Sequence, residues 1–420
     1  MAAIQRLAIL SVHASPLAPM GGKKTGGMNV YVRNLAQEFG RRGLLVDIYT
    51  RQTSPENPIV DESLGENVRV IHVTAGGHQA LSPDELFPHL PEFAAGVIAY
   101  ATRSNLSYNL IYSHYWLSGW VANTLRTVWG IPFVHMFHTL GHMKNRIVAQ
   151  SASPNQRIHV ETQITQWADR IIAATPAEYM QLRWLYRANR RKISVVSPGV
   201  DPSQFRPISA NTARSRLNLP DESNLLLFVG RIEPLKGVDT AIDALAVVRS
   251  CRPDLYRSLQ FIVIGGSPSD PADTELARLQ SRVQDLNMGA AVTFVGARDQ
   301  EALLNYYTAA SAVIMPSDYE SFGMVALEAM ASGTPVIASE VGGLAFLVQD
   351  HKTGFLVPTR DPQALAQRII ALLEHPAMLR TMGQAAAQLA QQYAWSTIAD
   401  DLLDAFDEVS SKVPVSPHTH

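Results

Sequence analysis

A single cysteine, Cys251, stands among 420 residues, so no disulfide can close within the chain. That usage fits a reducing compartment, and the plain reading of Cys251 is a small core or surface residue rather than a nucleophile. No charge of one sign dominates. The 35 Lys and Arg oppose 37 Asp and Glu, a net charge of −2, which excludes a nucleic-acid partner held by bulk charge. No apolar run is long enough to cross a bilayer, which excludes a membrane span. The N-terminus lacks the basic, apolar and small-residue succession of a leader peptide, and residues 1–13 read as a first strand instead. The expectation is a soluble cytoplasmic protein. The tail from Lys412 carries prolines and two histidines and reads as a frayed end without a metal site. A GxGxxG dinucleotide fingerprint is also missing, as is an Asp-x-Asp metal pair at a strand end. Composition does not set an oligomeric state.

What is present is ordinary for large cores: 46% hydrophobic and 17% charged residues, at a length that suggests two domains. Residues 6–13 form an apolar run of strand length. A glycine-rich stretch follows, Gly21-Gly22-Lys23-Lys24-Thr25-Gly26-Gly27-Met28-Asn29, and then a helix over 30–42. Gly26 and Gly27 let backbone approach a ligand without Cβ obstruction, although a plain turn fits equally well. Strand-like segments recur at 44–49, 68–73, 110–113, 133–137, 170–174 and 193–197. Helix-like segments alternate with them at 91–103, 120–128, 160–168 and 177–186. That alternation predicts an α/β fold with a parallel sheet. Ser197-Pro198-Gly199-Val200-Asp201-Pro202 interrupts it and marks a domain boundary. A second series runs through 225–229, 260–264, 291–294, 312–315, 335–338 and 354–357, ending in helices from Asp361 to about Val409. The expected architecture is two Rossmann-like parallel-sheet domains facing a cleft. Residues 1–197 would form one and 198–394 the other, with a helix at about 395–411 packing back on the first.

Pro316-Ser317-Asp318-Tyr319-Glu320-Ser321-Phe322-Gly323-Met324 leaves a strand and enters a helix that contains Glu328. A helix start offers free N–H groups and partial positive charge to a phosphate. Two carboxylates beside such a seat suit sugar and ribose hydroxyls. A dipole-favouring acid plus a solvated Glu is the blander alternative. Arg231 and Lys236, five residues apart after another strand of the same sheet, suit a diphosphate as a planar fork and a point charge. Together they would stabilise charge on a departing diphosphate without a metal. In the first half, His138 at a strand end can donate or accept beside a reacting sugar. Lys144 and Arg157 on the loop and helix beyond suggest a phosphorylated acceptor, against a solvated basic loop. Tyr115 reads more readily as a wall residue than as a phosphate contact. Trp116 and Trp120 read as packing residues.

Gly230-Arg231-Ile232-Glu233-Pro234-Leu235-Lys236-Gly237, followed by Glu320 through Glu328 at E-x7-E spacing, resembles glycosyltransferase family four. The resemblance extends over nearly the whole chain, including Pro198-Gly199-Val200-Asp201. It implies a GT-B fold and a retaining transfer. His138, Glu320, Arg231 and Lys236 would be catalytic. Gly27, Arg231, Lys236, Ser321, Phe322, Gly323, Met324 and Glu328 would bind a donor. Gly26, Gly27, Asn29, Tyr115, Thr139, Lys144 and Arg157 would bind an acceptor. Within the family, residues 25–32, 114–119 and 138–140 resemble two enzyme types. One is the bacterial sucrose-phosphate synthases without a phosphatase domain, the other the inositol-phosphate N-acetylglucosaminyltransferases. Met28-Asn29 favours the second. His78 and Gln79, where that type carries a phosphate-binding Lys, favour the first. The expected reaction is glucose transfer from UDP-glucose to fructose 6-phosphate, with no required cofactor and Mg²⁺ open as an activator. The alternatives are transfer to inositol phosphate and a catalytically silent sugar-nucleotide sensor. Intact Arg231, Lys236, His138, Glu320 and Glu328 argue against the sensor. A phosphorylase would need a cofactor lysine for which no motif stands.

Overall fold

The computed structural model describes residues 4–18, 26–147, 155–220, 223–267 and 273–411. The lysines at 23 and 24 and the tail from 412 lie outside the described residues. Runs of β-branched and aliphatic residues form the strands, and alternate residues are equally hidden. Leu7, Ala8, Ile9 and Leu10 are all inaccessible, so both faces of the first sheet are covered. Its strands are β1 (Arg6–Leu10), β2 (Leu45–Arg51), β3 (Val60–Asp61), β4 (Val68–Val73), β5 (Leu110–His114), β6 (Phe133–Met136), β7 (Arg170–Ala173) and β8 (Ile193–Val195). The second sheet holds β9 (Asn224–Val229), β10 (Leu259–Ile264), β11 (Val292–Gly296), β12 (Ala312–Met315), β13 (Val336–Ser339) and β14 (Gly354–Val357).

The spatial orders are β3-β4-β2-β1-β5-β6-β7-β8 and β11-β10-β9-β12-β13-β14. Both are doubly wound. The order reverses between β1 and β5 in one sheet and between β9 and β12 in the other, and ligands of such sheets sit outside the carboxyl ends at those points. Pairing is parallel except at β3, where Val60–Asp61 runs antiparallel to Val70–Ile71. The wholly parallel expectation therefore needs correction at that edge. The chain doubles back on β4, fixed by His72 N–H on the Ile59 carbonyl at 2.9 Å.

The chain divides into two compact units. Residues 4–18, Gly27–Ser197 and the helix Trp395–Ser410 belong to the first, Gly26 and Pro198–Ala394 to the second. In the first, Phe406 lies 5.9 Å from Phe39 and 5.1 Å from Tyr112, and Trp395 lies 5.5 Å from Tyr31, ring to ring. Two ion pairs, Arg42–Asp400 and Arg170–Glu408, flank that packing, with both acids largely exposed. Solvent screens pairs with such exposed acids, so apolar burial holds the helix. No helix among the described residues is long and apolar enough to cross a membrane.

Three helices start three or more residues earlier than periodicity indicates, and those expected at 30–42 and 160–168 begin at Gly27 and Asn155. The helix expected at 120–128 spans Tyr115–Trp129. Tyr115 takes a left-handed backbone, φ +74°, and turns β5 directly into the helix without a loop. The stretch after His138, expected as loop, contains the short helix Gly141–Ile147.

Candidate functional site

In the C-terminal unit, the loops after β9 and β12 are fastened to each other. The Asp318 N–H donates to the Leu235 carbonyl at 2.9 Å. Gly237, at φ +65°, packs so closely that a Cβ there would stand 2.1 Å from the Pro316 carbonyl oxygen. Across this junction Lys236 Nζ donates to Glu320 Oε2 at 2.6 Å, both side chains mostly shielded. Arg231 is exposed and bonded to Glu233 Oε1 at 2.6 Å. The helix Met324–Ala331 starts on Gly323, whose φ of +107° favours glycine, and no side chain caps it. Its first N–H groups are thus available to an anion. Phe322 is buried against Tyr393, and Ser321 and Met324 are half-buried beside that start.

Glu328 is buried rather than solvated, and the Tyr307 hydroxyl donates to its Oε2 at 2.8 Å. Burial pushes its carboxyl up to about 7, with the Tyr307 hydrogen bond acting against that rise. A buried carboxylate with a single donor among the described residues has acceptor capacity left for a ligand's hydroxyls.

In the N-terminal unit, the residues after β1, β5 and β6 converge. Asn29 is buried and donates from Nδ2 to the Ser15 carbonyl at 2.8 Å, tying the helix Gly27–Arg41 to the β1 loop. Gly26 immediately precedes that helix. His138 takes φ +61° at the centre of a tight turn closed by Thr139 N–H on the Phe137 carbonyl at 2.7 Å. A left-handed histidine is a strained placement held by its surroundings. Its Nε2 meets His114 Nδ1 at 3.0 Å. Burial, with His13 nearby, holds the His138 imidazole down at about 3, so it is neutral near pH 7. Burial and the Arg157 charge hold His13 at about 4.

Arg157 is buried and directed by three contacts. Its Nε donates to Glu161 Oε1 at 2.7 Å, and its Nη2 to the Thr139 carbonyl at 2.9 Å and hydroxyl at 3.1 Å. Its guanidinium carbon lies 5.0 Å from the Tyr115 ring centre, and the His13 ring packs tilted against Tyr115, 4.4 Å between centroids. Nη1 has no hydrogen-bond partner among the described residues. Lys144 is exposed on the helix Gly141–Ile147, and no described contact joins it to Arg157. Arg157, Thr139 and Tyr115 therefore form one cluster, and Lys144 stands apart from it.

Residues 25–204 match the model for Glycosyltransferase Family 4, and residues 209–389 match that for Glycosyl transferases group 1. A D-inositol 3-phosphate glycosyltransferase of Kineococcus radiotolerans is 40% identical over 96% of this chain and 95% of its own. One from Streptomyces avermitilis is 42% identical over 96% and 87%. The chain belongs to the glycosyltransferases of group 1 and family 4.

The glycosyltransferase also superimposes on a solved sucrose-phosphate synthase from Thermosynechococcus elongatus. The TM-score is 0.89 at 37% identity, over 97% of this chain and 99% of that one. The paired doubly wound sheets are those of the GT-B fold. Several residues that shape the glycosyltransferase's two clusters carry no motif. Gly342 and Gly343 hold the Glu320 loop: a Cβ on Gly342 would stand 2.0 Å from the Glu320 carbonyl oxygen, and Gly343 N–H donates to that oxygen at 2.9 Å. Glu161 anchors Arg157, and Tyr186 also bonds to it. Its i,i+4 spacing from Arg157 is the signal that sequence offers. His13 and His114 flank the β1–β5 reversal, and Tyr307 is visible only through the tertiary fold.

Proposed function

We propose that this glycosyltransferase moves glucose from UDP-glucose to fructose 6-phosphate with retention, giving sucrose 6-phosphate and UDP. The observation that carries this choice is the match to sucrose-phosphate synthase over 97% of the chain at a TM-score of 0.89. His78 and Gln79 support it, standing where resemblance to the inositol enzymes asks for a phosphate-binding lysine. The second reading is transfer of N-acetylglucosamine to inositol phosphate. It is favoured by the 40–42% identity to D-inositol 3-phosphate glycosyltransferases.

In this proposal the C-terminal unit holds the donor. Arg231 and Lys236 meet the diphosphate, joined by the amides at Phe322, Gly323 and Met324, each charge-assisted contact contributing roughly 1.5–3 kcal/mol. Lys236 already neutralises Glu320, so an arriving phosphate shares that cation and leaves Glu320 oriented toward sugar hydroxyls. Glu328 accepts from the ribose. His138 contacts the donor sugar. Gly26, Gly27, Asn29, Tyr115, Thr139, Lys144 and Arg157 serve the acceptor, with Arg157 Nη1 directed at its phosphate. The bond from the anomeric carbon to the diphosphate oxygen breaks. The acceptor hydroxyl bonds to that carbon from the same face and passes its proton to a leaving phosphate oxygen. No protein nucleophile takes part, so mass spectrometry should find no glycosyl adduct on Glu320.

The test is UDP release. UDP-glucose and UDP-N-acetylglucosamine are each paired with fructose 6-phosphate, inositol phosphate and free fructose, with and without Mg²⁺. The expected result is release with UDP-glucose and fructose 6-phosphate alone. Release with UDP-N-acetylglucosamine and inositol phosphate moves the assignment to the second reading. UDP binding without turnover of any pair favours a sensor.

A further inference from the structure

The His114–His138 contact fixes more than a distance. Both imidazoles are neutral near pH 7: burial holds His114 far below its ordinary value, with His138 and His135 adding to the effect. A neutral imidazole has one N–H and one bare nitrogen. At 3.0 Å, His114 Nδ1 and His138 Nε2 share one proton between them, which leaves two arrangements. If His138 were the donor, His114 would carry its proton on Nε2. That nitrogen is buried without a hydrogen-bond partner, between the rings of Tyr31 and Tyr112. An orphaned buried N–H is the rarer and costlier defect, and a bare buried acceptor is tolerated better. If His114 is the donor, its Nε2 is the bare atom, and His138 carries its own proton on Nδ1.

We propose that His114 is a positioning residue that holds His138 in the Nδ1-protonated tautomer, so that His138 presents an N–H, not a lone pair, to an incoming sugar hydroxyl. The neighbouring histidine repeats the pattern. The Ser113 hydroxyl donates to the Val134 carbonyl at 3.2 Å and therefore accepts from His135 Nδ1 at 2.8 Å. His135 Nε2 is the buried bare atom there. His138 Nδ1 has no partner among the described residues, which leaves its N–H for a ligand. The consequence for turnover rests on the reading of His138 as a sugar contact. The tautomer itself does not.

The experiment uses the full chain labelled with ¹⁵N-histidine. Long-range ¹H–¹⁵N correlation reports which ring nitrogen carries the proton, and His138→Gln identifies the His138 signals by their loss. The expected wild-type spectrum shows His138 protonated on Nδ1. His114→Phe keeps the ring volume but removes the donor. His138 should then populate the Nε2-protonated form, with kcat lowered about tenfold and the KM for acceptor little changed. In His114→Asn the amide nitrogen takes the place of Nδ1, and both the tautomer and most of the lost kcat should return. Protonation of wild-type His138 on Nε2 overturns the proposal, as does an unchanged His138 tautomer in His114→Phe. Should His114→Phe not fold by circular dichroism, the wild-type and His114→Asn spectra decide. The Nδ1-protonated form in a protein that turns over no sugar pair would remove the proposed reaction and leave this assignment standing.

Discussion

Glu328 combines a buried position with a single donor among the described residues, and that combination has a measurable signature. Burial holds its carboxyl at about 7, so a large share of molecules carry it protonated near neutral pH. A ribose hydroxyl donating to it favours the ionised form and lowers that value in the complex. Binding below pH 7 then releases a proton, and affinity falls as pH falls. With a free value near 7 and a bound value well below 6, UDP-glucose affinity should drop about tenfold between about pH 8 and about pH 6. The diphosphate of UDP-glucose does not titrate in that range, so the slope belongs to the protein. Isothermal titration of Glu328→Gln should show weaker binding and no such slope. A slope that survives the substitution would take the ribose contact away from Glu328. Lys236 and Glu320 illustrate the complementary arrangement, in which each charge is already compensated before a ligand arrives.

The loop after β12 owes its shape to another element. Gly343, the second residue of the helix Gly342–Leu347, sets its amide on the Glu320 carbonyl, and a Cβ there would stand 2.2 Å from the Phe322 Cα. The neighbour it would strike is backbone, so the loop must move. Gly343→Ala should cost about 1–3 kcal/mol in urea unfolding and weaken UDP-glucose binding with it. Gly289→Ala is the control. That glycine is exposed with open space around its Cβ position, and its stability should stay within about 0.5 kcal/mol of the parent. Wild-type stability and affinity in Gly343→Ala would show that the loop does not depend on this contact. The strand cores were legible because both-face burial writes continuous aliphatic runs, as at residues 225–229 and 312–315. The β3 edge was not, because two residues carry no period. The pairs Arg231–Lys236 and Glu320–Glu328 could be read from spacing along strand ends. The partners Tyr307, Glu161 and His114 gain their meaning only from tertiary neighbours, and the clamp at Gly342 and Gly343 lies in a different segment from the loop it holds.

The N-terminal unit is not continuous in sequence, since its last helix is supplied after the chain has built the whole second unit. Trp395, Ile398, Leu402 and Phe406 of that helix are buried, against Tyr31, Phe39 and Tyr112 among others. Burying a large apolar side chain contributes about 1.5–3 kcal/mol, so these four together contribute roughly 6–12 kcal/mol. That equals the whole stability of a typical domain, about 5–15 kcal/mol. A chain ending at Ala394 should therefore lose cooperative unfolding of its N-terminal unit. Ala394 and Tyr393 themselves belong to the second unit, where Val200 N–H donates to the Tyr393 carbonyl at 2.8 Å, so the cut leaves that unit's own contacts in place. The truncated chain should still bind UDP, with an affinity within about tenfold of the full chain, while its calorimetric unfolding shows one transition's enthalpy missing. UDP should raise the midpoint of the transition that remains. Full enthalpy without residues 395–420 would mean that strands β1–β8 and their own helices suffice. Loss of UDP binding together with the N-terminal transition would mean that the two units fold as one cooperative body.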